Sequence, residues 1–307
     1  VVPDSSEIIF PDIDKYPEIV YFHDPNLHFL KKIQKALHFI QTKYVLFCAE
    51  DDFIVPQAVE KITEYLDEHN DYCSAQGHFL TFEVRKKKIE FTPRYIRNFD
   101  KHMKADNALQ RLVEFQSPYA SLLYSVIRSS VFKEMYTNCF DDQGQLLFTN
   151  LFAAETYFNY YALIQGKHAT LPYFYAARER IADSATTTTI PFTAIMTKAE
   201  YHNEREGLLL ILASKLSLKE GISKTEAYQV ILKLLTKPDL DKVTSKKRQL
   251  TLLTEKHKLL KPLNILLIAR YKQKGLKAVK TLESYPCSFS TKEKDEIIHH
   301  IKMITTP

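Results

Sequence analysis

The chain has 307 residues, 45% of them apolar and 26% charged, an ordinary globular balance that leaves room for one large domain or two smaller ones. Six glycines against 19 Phe and 18 Tyr argue against a glycine-rich nucleotide fold and against disorder, and no apolar run nears the roughly 18–20 residues of a membrane span. The net charge of +5 is uneven: residues 1–197 hold 20 Lys/Arg and 25 Asp/Glu, whereas residues 198–307 hold 22 and 12.

Val1-Val2 reads as the end of a strand already under way, so a first strand is expected to be missing ahead of it, and Asp4-Ser5-Ser6 follows as a polar turn. Glu18 to Phe22 reads as a second strand. Between Asn26 and Ile40, Leu30, Ile33, Leu37 and Ile40 recur at steps of three and four, which predicts an amphipathic helix. Tyr44 to Cys48 is a continuous apolar run, as in a strand buried on both faces, and it places Cys48 as a buried, reduced thiol. Pro56 opens a helix whose buried stripe is Val59, Ile62, Tyr65 and Leu66.

Tyr72 to Val84 and Ile89 to Thr92 read as a hairpin, with Arg85-Lys86-Lys87-Lys88 as a solvated basic tip rather than a nucleic-acid patch. Leu122 to Ile127 reads as another strand. Phe152 to Ile164 reads as a helix closed by Gly166, and Ala169 to Ala176 as a last strand. Strands alternating with helices predict an α/β sheet. After the polar run at Ser184 the pattern turns helical: Ser223 and Glu226 form a capping box, Pro238 ends that helix, and Ser290 or Thr291 opens a final one bearing Ile297, Ile298 and Ile301.

The motif with chemical content is Cys48-Ala49-Glu50-Asp51-Asp52-Phe53, three carboxylates directly after a buried strand. In open α/β sheets ligands collect at the carboxyl ends of strands. Adjacent carboxylates repel one another unless a cation neutralises them, and hard oxygen donors suit Mg²⁺ or Mn²⁺. An acidic helix N-terminus would use the same residues. The four cysteines include no Cys-x-x-Cys pair, and His23, His168 and His202 lack metal-like partners at i+3 or i+4, so zinc is not expected.

The whole stretch from Thr42 to Pro56 resembles the metal-binding segment of GT-A glycosyltransferases, and in particular a bacterial family-2-like group in which an Asp-Asp-Asp-Phe run follows such a strand. The resemblance takes in Val1 to Ser6, Asp71 to Gly77, the helix around Glu155 and Tyr175 to Glu179, about residues 1–190 in all. Glu50 stands where the family usually has Asp. The resemblance implies a GT-A-like, Rossmann-like mixed sheet flanked by helices over 1–192, followed by a helical region over 193–307. It also implies that Glu50 and Asp52 hold Mn²⁺ or Mg²⁺ against a donor diphosphate, that Asp51 orients ribose or sugar, and that Asp4, with Ser6 beside it, meets the nucleotide base.

Glu155, alone among apolar and aromatic neighbours on its helix, is the expected base for an inverting transfer. Asp141-Asp142 is the other candidate, but Gln143-Gly144 marks a turn. Arg178 is expected to contact the diphosphate or to pair with Glu179 or Asp183. The expected partners are a nucleotide-sugar donor and a glycan or lipid-linked acceptor, without nucleic acid, in a cytoplasmic protein of bacterial surface-glycan synthesis. The basic run Lys246-Lys247-Arg248 with Lys256, Lys258 and Lys261 would suit an anionic membrane surface. A metal-dependent nucleotidyltransferase and a non-catalytic glycosyltransferase-like binding module are the rival readings.

Overall fold

The computed structural model describes residues 1–49, 52–85, 88–94, 102–116, 120–179, 190–236 and, in the last helix, 295–296, 298–299 and 301–303. Two long strands form its spine. β5 (Tyr72–Arg85) and β9 (Lys167–Glu179) run parallel, with Ser74 opposite His168 and Leu80 opposite Ala177. β9 is buried over His168–Leu171 and Phe174–Ala177, two runs covered on both faces of the sheet. The other edge of β5 pairs antiparallel with β8 (Val126–Arg128) and then with β6 (Lys88–Pro93). β3 (Tyr44–Val45) adds to β8. The other edge of β9 carries β7 (His102–Met103) and β4 (Asp52–Ile54), both antiparallel. A second, two-stranded parallel sheet joins β1 (Val2–Asp4) to β2 (Tyr21–His23).

Helices cover this mixed sheet. α1 (Phe29–Ala36) follows β2, and α2 (Pro56–Glu68) begins on its proline, whose missing N–H costs nothing in a first turn. Ile62 and Leu66 of α2 are fully buried in one core cluster with Phe174, Tyr175 and Ile301. The second cluster gathers α3 (Ala108–Phe115), α4 (Ser129–Thr137) and α5 (Leu151–Gln165). Tyr157, Tyr161, Leu163 and Ile164 of α5 have no exposed surface, which is why this helix is apolar nearly all round. α6 (Phe192–Thr197), α7 (His202–Glu220) and α8 (Lys224–Thr236) pack into the same cluster through Met196, Leu212, Leu216 and Ile231. The architecture is mixed α/β with a helical C-terminal region, consistent with a GT-A fold.

Several expectations need correction. The helix expected over 26–40 starts only at Phe29, capped by His28, and tightens into a 3₁₀ turn at Leu37–Phe39. The strand expected over 44–48 pairs only at Tyr44–Val45 and is half-buried, so Cys48 is exposed, its Sγ 3.4 Å from the Ala49 carbonyl. Buried thiols occur instead at Cys73 and Cys139. Leu122–Ser125 is a turn rather than a strand: the Ser125 N–H and hydroxyl both donate to the Leu122 carbonyl, and the Leu122 N–H donates to Asn159 Oδ1. Gly166 caps α5 with an extended backbone, φ −165°, not a left-handed one. Its lack of a side chain matters because a Cβ there would lie 2.9 Å from Cys73 Cβ and 3.1 Å from the Asp71 carbonyl oxygen.

The hairpin of β5 and β6 and the Ser223 cap, which accepts from the Glu226 N–H at 3.1 Å, are as expected. Ile298 and Ile301 are helical, while Ile297, the opening at Ser290 or Thr291 and the basic run from Lys246 to Lys261 lie outside the described residues. Among the described residues no helix is long and apolar enough to cross a membrane.

Candidate active site

The end of the acidic motif is held by the sheet. Asp52 opens β4 directly opposite Arg178 on β9, and their side chains meet as a cross-strand ion pair, Arg178 Nε to Asp52 Oδ1 at 2.9 Å. The Asp52 side chain has no exposed surface, and that of Arg178 is 22% exposed. A carboxylate so deeply covered is tolerable only with a charged partner, which Arg178 supplies. Glu50 and Asp51 lie outside the described residues, as do Arg180 and Asp183.

Arg178 is fixed from a second side. Its Nη2 donates to the Tyr124 hydroxyl at 3.0 Å, and its guanidinium carbon lies 5.3 Å from the centre of the Tyr124 ring. Tyr124 sits in the Leu122–Ser125 turn, its ring tilted against Phe47 and Phe79. Its carbonyl accepts the Tyr175 hydroxyl at 2.6 Å. Burial pushes the Tyr124 phenol up to about 12. Arg178 pulls it down, and the charges of Asp52 and Glu155 push it up. The tyrosine thus marks the place where the end of the acidic motif and the arginine of the last strand come together, within electrostatic reach of the carboxylate of α5.

Glu155 projects half-buried from the second turn of α5. The start of that helix is pinned: Asn150 Oδ1 accepts from the N–H groups of Phe152 and Ala153, the Asn150 N–H donates to Glu204 of α7, and His28 bonds the Thr149 carbonyl. Asp141, the other candidate base, is a turn residue. Its Oδ1 accepts from the N–H groups of Gln143 and Gln145, with Gly144 at φ +74°.

Asp4 and Ser6 form a separate group at the end of β1. Asp4 Oδ1 accepts the Ser6 N–H at 2.8 Å, and Oδ2 accepts the Tyr21 hydroxyl at 2.6 Å. The Tyr21 hydrogen bond, followed by those from Ser6, holds the Asp4 carboxyl at about 2, against an ordinary 3.8. The Ser6 carbonyl meets His23 Nε2, and the Asp24 N–H donates to the Asp4 carbonyl, so the β2–α1 connection clamps the turn. The bonds of Asp4 run to its own turn and to β2, not to the Asp52–Arg178 pair.

For a divalent cation the described residues form part of a site. Asp52 offers hard carboxylate oxygen, but its charge is balanced by Arg178, and among the described residues no three His, Cys, Asp or Glu side chains gather as a ligand set. Buried His168 bonds Ser74 Oγ at 2.8 Å, and His202 meets Arg205. Two residues of the site escape a reading of the sequence, Tyr124 and Tyr21. Each sits in an apolar or aromatic stretch where only the three-dimensional partner, Arg178 or Asp4, singles it out.

No curated protein matches the chain. Residues 2–135 match the family model described as Glycosyl transferase family 2, which supports a glycosyltransferase. Asp4, Ser6 and the Glu50–Asp52 motif fall inside the matched span, and Glu155 and Arg178 fall beyond it. Over residues 2–135, then, this protein is similar to the family-2 glycosyltransferases.

Proposed function

We propose that the protein transfers a glycosyl group, with inversion, from a nucleoside-diphosphate sugar to a hydroxyl of a glycan or lipid-linked acceptor in bacterial surface-glycan assembly. The observation that carries this reading is the buried Asp52–Arg178 pair seated against Tyr124 at the end of the acidic motif, with the charge of Glu155 acting on the same phenol. Glu155 is the base: its carboxylate takes the acceptor O–H proton as the acceptor oxygen bonds to the anomeric carbon. The bond from that carbon to the diphosphate breaks, and its electron pair leaves with the nucleoside diphosphate.

Arg178 contacts the diphosphate while Asp52 holds its guanidinium in register. Asp4 accepts a hydrogen bond from the nucleobase, with Ser6 beside it, and Asp51 orients ribose or sugar. Glu50 and Asp52 are the residues that would hold Mn²⁺ or Mg²⁺. When bound, such an ion supplies charge neutralisation at the diphosphate. Glu155→Gln tests the reading. Turnover should fall by roughly 10²-fold or more with donor affinity little changed. Loss of folding in place of turnover would make Glu155 a core partner and leave the transfer without its base.

A further inference from the structure

Tyr124 is bonded more specifically than a packing residue requires. Its hydroxyl accepts from Arg178 Nη2, and none of the described residues accepts the phenolic proton in return. A tyrosine hydroxyl can do both at once. The side chain is half-buried, the ring is fixed by Phe47 and Phe79, and the main chain is fixed by Tyr175 and by the Ser125 turn. With its phenol protonated at neutral pH, Tyr124 is a rigid hydrogen-bond donor standing beside a guanidinium.

A cationic and a neutral donor at adjacent fixed positions match neighbouring oxygens of one anion. They match a lone sugar hydroxyl poorly, because the guanidinium would gain little from it. We propose that Tyr124 donates its phenolic hydrogen bond to an oxygen of the donor's diphosphate, alongside Arg178, and remains bound as negative charge builds on that group. This inference rests on the glycosyl-transfer reading and adds a donor-binding residue to it. Because the donor is in place before transfer, nothing has to reorganise as the charge appears.

The test is Tyr124→Phe, which keeps the ring and its packing and removes the O–H. Titration calorimetry in Mn²⁺ first finds which of UDP, GDP, ADP, CDP and dTDP the unaltered chain binds best. The variant should bind that diphosphate about tenfold more weakly, the scale of a hydrogen bond to a charged group. It should bind the matching nucleoside, which has no phosphate, as the unaltered chain does, and melt within a few degrees of it. Equal affinity for the diphosphate, or an equal loss for nucleoside and diphosphate, overturns the inference and leaves glycosyl transfer standing. An unaltered chain that binds none of the five overturns both.

Discussion

Asp4 and Asp52 are both expected to face the donor, Asp4 at the nucleobase and Asp52 at the metal, yet they are stabilised differently. Asp52 is neutralised by a charge, Arg178, across two strands, whereas Asp4 is stabilised by neutral donors, Tyr21 and the Ser6 N–H. The difference has a pH consequence for Asp4. Its folded pKa of about 2 lies below the ordinary 3.8, so the turn is favoured at pH above about 4. That contribution is lost as pH falls from 3.8 through 2. Tyr21→Phe removes the largest cause, and the Asp4 carboxyl should then titrate closer to 3.8 when its carboxyl carbon is followed by NMR. A titration midpoint still near 2 in the variant would mean that the Ser6 turn alone holds the charge. The acidic motif, Asp4 and Glu155 were all legible as residues of interest. Their partners were not, because Asp52 and Arg178 are 126 positions apart and meet only through the pairing of β4 with β9.

At the scale of elements, the site depends on how β5 and β9 lie against each other. Their parallel register slips between Gln76 and His78, and Gly77 sits in that irregularity. A Cβ at Gly77 would stand 2.5 Å from the Tyr173 carbonyl oxygen and 2.5 Å from Tyr175 Cβ, so the two strands could not keep their approach. Gly77→Ala should therefore cost about 1–3 kcal/mol, the usual range for overpacking, read as a lower urea midpoint. It should also disturb the bond from Tyr175 to Tyr124 and with it the seat of Arg178. An unchanged midpoint would show that the bulge absorbs a methyl group. Elements with a strong pattern, the β5–β6 hairpin and α2, were readable from sequence. α3, α4 and the short β4 and β7 were not, since their pairing and burial come from distant neighbours. The Leu122–Ser125 turn was hidden because its apolar residues imitate a strand, while Ser125 and Asn159 draw its backbone out of the sheet.

On the scale of the molecule, the long-strand spine brings Asp52, Tyr124 and Arg178, from three regions of the chain, to one place. Asp52 comes from within the span that matches the glycosyltransferase family, whereas Glu155 and Arg178 come from beyond it. Tyr124 lies within the span yet is bonded to a residue outside it. The helices α6, α7 and α8 join the same core as α5, with Glu204 of α7 holding the start of the helix that carries Glu155. The overall α/β class was legible because alternating strand and helix patterns run through the first two-thirds of the sequence. The packing of α7 and α8 onto α5 was not, since an amphipathic helix declares a buried face without naming what covers it. The most direct measurement of the central claim is titration calorimetry of the intact chain with a panel of nucleoside-diphosphate sugars, each with and without Mn²⁺. Binding of sugars on one nucleobase in preference to the others, strengthened by Mn²⁺, is the expected result. Failure of every nucleotide sugar to bind, with the metal present or absent, would contradict it.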